Sequence, residues 1–198
     1  MLRVRYIVDA VLLGISMLLC SGCVVKVPLS PEAPNLQFGK KLPVEAALLI
    51  PEDARNYVFR GKPETFAQSA GTFEIAFGEA MEKTSLEVFS QIFDKLTLVR
   101  TPEEARKYLL SIEPKIESYH FQFESAPFTR PTVYSKMSVH ARVGGRDGVV
   151  KDMEESDESK GPQDKHGKIV SAQVVDLLGK IAIRITEDAA VRKLIESK

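Results

Sequence analysis

The sequence predicts an α+β fold: short strands, a helix, two long strands joined by a tight turn, and a closing helix. Three stretches carry that reading. Thr132 to Val143 alternates without a break, with Val133, Ser135, Met137, Val139, Ala141 and Val143 on one side and Tyr134, Lys136, Ser138, His140 and Arg142 on the other. Gly78 to Leu96 repeats Met81, Ser85, Val88, Phe89, Ile92 and Leu96 at steps of three and four residues, the period of a helix with one buried side. Ile169 to Ser197 does the same through Val174, Val175, Leu178, Ile181, Ala182, Ile185 and Ala189.

Taken in order, Val44 to Ile50 is a short apolar run closed by Pro51 and reads as a strand buried on both faces. Pro51 to Arg60 leads into a Gly61/Pro63 turn, and Thr72 to Phe77, between Gly71 and Gly78, is a second strand. In the first helix, Glu79 and Glu82 sit in the first turn, where acids favour the dipole, and Glu79 and Lys83 are spaced i,i+4 on its outer side. The helical stripe reads as core. A brief strand, Leu96 to Val99, and a polar connection, Thr101 to Arg106, follow.

Tyr108 to Glu124 is extended. Its apolar positions change parity, from Leu110, Ile112 and Ile116 to Tyr119, Phe121 and Phe123, which predicts a bulge near Glu117 or Ser118. Pro114 predicts an edge or a break at that point. Ala126 to Pro131 is a turn, and Gly144-Gly145-Arg146-Asp147-Gly148 closes a hairpin whose return strand runs from Val149 to about Ser156. Asp152 to Glu158 holds five acids in seven residues and, with Lys160 to Gly167, reads as a solvated loop; it lacks the regular ligand spacing of a calcium loop.

The start of the chain has a separate logic. Arg3 and Arg5, the apolar run Ala10 to Leu19, and the small residues Ser21 and Gly22 have the layout of an export signal. The run is shorter than the roughly 20 residues of a membrane span. Cys20-Ser21-Gly22-Cys23 resembles the lipobox of bacterial lipoproteins, with Cys20 a departure where that family prefers Leu. The resemblance implies cleavage after residue 22, a diacylglyceryl group on the Cys23 sulfur, and a mature chain that starts at Cys23. Residues 1–22 are then the signal, 23–43 a flexible tether marked by Pro28, Pro31, Pro34 and Pro43, and 44–198 one periplasmic domain. Val24 in place of Asp after the cysteine, by the same resemblance, favours the outer membrane, facing the periplasm.

Removing 22 of 198 residues leaves 176, with 25 basic and 26 acidic side chains. That balance supplies no basic stripe for a nucleic acid. No Gly-x-Ser-x-Gly or His-Glu-x-x-His spacing occurs, so no catalytic residue, metal site or cofactor is expected. His140 falls on the polar side of its strand and reads as a solvated histidine.

The order of elements, Phe77-Gly78-Glu79-Ala80-Met81 at a helix start, and the stretch Val174 to Ile195 resemble small periplasmic lipoproteins of the YajG type. That resemblance implies an antiparallel sheet backed on one face by two helices in β-α-β-β-α order, with no catalytic residues to carry over. The uncovered side would present Tyr134, Lys136, His140 and Arg142 as an interaction face. The expected function is a non-enzymatic accessory or docking factor for cell-envelope assembly or transport, held at the membrane by its lipid and meeting an envelope protein. The alternative is a carrier of an apolar ligand through Tyr119, Phe121, Phe123 and Phe128.

Overall fold

The computed structural model describes residues 24–32, 41–64, 71–125, 128–146 and 148–197. Cys20, Cys23 and the signal-like segment lie outside the described residues. Two sheets form. The larger has the strand order β5-β2-β6-β7-β8, from β2 (Leu42–Leu49), β5 (Phe93–Val99), β6 (Leu110–Glu124), β7 (Thr132–Gly145) and β8 (Gly148–Pro162). The smaller has the order β1-β4-β3, from β1 (Val24–Lys26), β3 (Phe59–Gly61) and β4 (Thr72–Ile75). The helices are α1 (Glu52–Arg55), α2 (Phe77–Phe89), α3 (Pro102–Ala105), α4 (His166–Glu187) and α5 (Ala189–Glu196).

The α+β class holds, with the two long helices, α2 and α4, on one face of the large sheet. The sheet itself is mixed: β6, β7 and β8 are antiparallel, while β2 runs parallel to both β5 and β6. Strand β2 is buried on both faces, as its composition requires. Val44, Ala46 and Leu48 enter the main core; Ala47 and Leu49 meet Val99, Ala105 and Tyr108 on the far side, under α3. The polar connection at Thr101 is therefore a short covering helix, started by a capping box between Thr101 and Glu104.

Helix α2 stops at Phe89, not Leu96. Ser90 and Gln91 bond back to the Glu87 carbonyl, the chain turns, and Ile92 and Phe93 enter the core as the approach to β5. Their spacing from Phe89 imitates a continuing stripe because a reversing chain can bury the same residues. On the surface of α2, Lys83 pairs with Glu87, at 3.9 Å.

The bulge in β6 lies between Ile116 and Ser118. Leu110, Ile112 and Pro114 face inward before it; Tyr119 and Phe121 do so after it. Pro114 sits beyond Ile112, the last β6 residue paired with β2, so β6 is locally an edge on that side.

Two expected irregular segments are ordered. The acidic run is part of β8, paired with β7 from Gly145↔Gly148 to Thr132↔Pro162. Its acids fan onto both faces: Asp152 and Glu158 meet cations of β7, and Glu155 meets Arg184 of α4; such a charged edge resists pairing with other chains. Val24 to Glu32, expected as the first part of a tether, lies on the body. Strand β1 pairs in parallel with β4, Val27 N–H donates to the Glu74 carbonyl at 2.9 Å, and Ser30 N–H donates to Ser171 Oγ at 3.0 Å. Gly167 lets this arm approach: a Cβ there would stand 2.2 Å from the Pro28 carbonyl oxygen. The last helical stretch is two helices, because Asp188 leaves helical geometry (ψ 124°) and caps α5 by accepting from Ala190 and Val191 N–H.

Candidate functional site

Alternation along β7 assigns its side chains to two surfaces with different chemistry. The inward residues Val133, Met137, Val139, Ala141 and Val143 are fully buried against the helices. The outward residues Tyr134, Lys136, His140 and Arg142 all lie on the uncovered face of β6–β7–β8, so the four predicted interaction residues are brought together on one strand.

Each of the four is met from a neighbouring strand. Lys136 Nζ donates to Glu158 at 2.6 Å, directly opposite on β8. His140 Nε2 is 3.1 Å from Asp152. Arg142 reaches Glu113 on β6 at 3.4 Å and Asp152 on β8 at 3.8 Å. The Tyr134 hydroxyl bonds to Glu124, which holds its proton on and raises its pKa. Between these rows, the Ser118 and Ser138 hydroxyls meet at 2.8 Å. At one end, His120 Nδ1 lies 2.7 Å from Glu64, beside a shallow depression of about 680 Å³ that also borders Tyr134, Lys136 and Glu158. The face is a pleated array in which cations of β7 meet acids of β6 and β8.

The aromatic residues behave differently. Tyr119, Phe121 and Phe123 pack, mostly edge-to-face or tilted, against Phe59, Phe73, Phe77 and His166 at centroid distances between 5.0 and 6.5 Å. Tyr119 and Phe121 are 5% and 3% exposed. These rings fill the junction between the two sheets. Phe128 does not join them; it is fully exposed, at φ 65°.

A buried polar chain runs behind the open face, and sequence reasoning missed it. His166 Nε2 and Tyr119 Oη are 2.7 Å apart, while His166 Nδ1 has no partner among the described residues. Burial raises the Tyr119 pKa, and the Ser135 hydroxyl lowers it in part. Ser135 Oγ in turn donates to Gln173, whose amide donates to the Ser135 and Asp157 carbonyls at 3.1 and 3.2 Å. Gln173 thus ties α4 to both β7 and β8. His166 reads as a loop residue because it follows Pro162-Gln163-Asp164-Lys165; Pro162 ends β8, Gln163–Lys165 form a single 3-10 turn, and His166 begins the helix. The signal available was Gln173, a polar residue at an inward helical position.

Among the described residues, no group of three or more His, Cys, Asp or Glu could hold a metal, and no helix is long and apolar enough to cross a membrane.

No family model matches the chain, and no curated protein matches it. Solved structures do show likeness. A DUF330-family protein from Xanthomonas campestris aligns at 12% identity and TM-score 0.43, over 89% of this chain and 97% of the other. A minor lipoprotein from Acinetobacter baumannii aligns at 11% identity and TM-score 0.39, over 75% and 94%. PelC from Paraburkholderia phytofirmans, a dodecamer, aligns at 11% identity and TM-score 0.39, over 76% and 92%. Likeness at this level describes an outline of the chain path and carries no function with it.

Proposed function

We propose that this chain is a lipid-anchored, non-enzymatic protein of the bacterial envelope, and that the open face of β6–β7–β8 docks an envelope protein partner. The observation that carries the docking reading is the face itself. A strand with Tyr134, Lys136, His140 and Arg142 in line is left uncovered, while both long helices pack on the other side. The anchor reading rests on Cys20-Ser21-Gly22-Cys23 after a basic start and an apolar run. Acylation there would hold the protein at a membrane, since more than one chain makes such binding stable. Val24 after the cysteine supports placement at the outer membrane.

The test uses photo-crosslinking residues placed at Lys136 and Arg142 in intact cells, with Lys83 on the helical side as the comparison. Discrete adducts with an envelope protein from positions 136 and 142, absent at 83, are expected. Identical adducts from both sides, or none from the open face, would overturn the docking role.

A further inference from the structure

The residue that follows the anchoring cysteine is already part of the fold. Val24 pairs with Thr72 in the β1–β4 ladder, so one Cα step of about 3.8 Å separates position 23 from a strand. The point where a lipid would attach therefore belongs to one definite end of the molecule. Val24 and Val25 are exposed there. Val25 and Lys26 border a cavity with Gln163 and Asp164, and those two border another with Arg130 and Pro131. Gln163 N–H donates to the Pro131 carbonyl at 2.9 Å. Phe128 lies two residues before Arg130, within roughly 7 Å of chain. A second route agrees: the ring of Phe73, the partner of Val25, packs against Phe123 at 5.4 Å, and β6 ends at the residue after that ring.

Phe128 is the most exposed apolar residue described, and its positive φ is uncommon for a bulky side chain. An aromatic ring held out of the core at the end of the fold where a lipid would attach, with Lys26, Arg130 and Lys168 outnumbering the one acid between them, Asp164, has the composition of a bilayer interface. None of these three cations forms an ion pair among the described residues. The opposite end of the sheet is the β7–β8 turn at Arg146. From Thr132 to Gly145 is 13 steps of ~3.3 Å, so the two ends are about 40 Å apart.

We propose that the end of the fold bearing Val24, Val25 and Phe128 docks on the lipid bilayer, with the Phe128 ring in the interface. The body then stands directly on the membrane, its β7–β8 hairpin points away, and its open face looks along the membrane surface. This rests on Cys23 being lipidated.

The chain contains no tryptophan, so Phe128→Trp and Val149→Trp each install a sole reporter, at the two ends. The full lipidated protein is placed on vesicles of phosphatidylethanolamine and phosphatidylglycerol, with and without bromine-labelled acyl chains, and intact mass reads the lipid on Cys23. The expected result is a blue-shifted F128W emission quenched about twofold or more by bromine, and a V149W emission that bromine leaves unchanged. Equal, unquenched emission from both reporters on lipidated, vesicle-bound protein overturns the docked orientation and leaves the anchor standing. A mass without lipid overturns the anchor and the orientation together.

Discussion

Tyr119 and His166 are joined by a 2.7 Å hydrogen bond inside the aromatic core, where each is 5% exposed. Burial alone drives the His166 pKa down from 6.5 to about 4. The folded state therefore keeps this imidazole neutral over a range in which the unfolded chain protonates it. Above pH 6.5 the group has no effect on stability. Between pH 6.5 and 4 the unfolded state binds the extra proton, and stability falls by up to ~1.4 kcal/mol per pH unit. Urea unfolding from pH 7 to 5 should show this slope, and His166→Leu should flatten it, at a cost of about 1–2 kcal/mol at pH 7 from the Tyr119 hydroxyl's lost partner. A slope that persists in His166→Leu would assign it to other groups.

Carboxylates act in a different window. Glu82 accepts from Arg100 Nη1 at 2.5 Å, and that bond and charge hold its pKa below the usual carboxylate value. Its stabilisation is present above pH 4.5 and lost as pH falls through the lowered value. The pair is partly exposed, so Glu82→Gln should cost only about 0.5–1 kcal/mol at neutral pH. The acid limb below pH 4.5 should become shallower in that variant, with the histidine slope intact.

Gln173 is 1% exposed and serves Ser135 and Asp157 together. Gln173→Ala removes three buried or partly buried hydrogen bonds from Ser135 and Asp157, whose side chains keep Tyr119 and Ser159 as partners, and should destabilise by about 2–3 kcal/mol. Hydrogen exchange should quicken first in β8, the edge strand it secures. Uniform loss of protection across all strands would show that Gln173 has no local role.

Gly167→Ala separates arm docking from core stability. Alanine favours a helix over glycine by about 1 kcal/mol, so α4 itself gains. Its methyl would collide with the Pro28 carbonyl. Limited proteolysis should then cut within Val24–Ser30 while the melting temperature of the body changes little. An arm still protected in this variant would show that Pro28 can shift without leaving α4.

The parts legible in the sequence were those governed by a period. The alternation of β7, the burial of β2 and the parity change at Glu117 all appear in the fold, since one buried face leaves a direct mark on composition. Segments governed by cross-strand pairing were hidden. The acids of β8 look solvated until Lys136, Arg142 and Arg184 are seen opposite them. Val24 to Ser30 looks like a tether because its partners, Thr72 to Glu74 and Ser171, are distant in sequence. The open face was half legible: its β7 row could be read, and its ion-pair partners on β6 and β8 could not.

Membrane attachment through Cys23 is the claim on which localisation and orientation both depend. Fractionation of cells expressing the native chain and Cys23→Ala, with labelling by a fatty-acid analogue, tests it directly. The native protein should be labelled and sediment with membranes, and Cys23→Ala should be unlabelled and soluble. A Cys23→Ala protein that still sediments with membranes, or a native protein that takes up no label, would contradict the account.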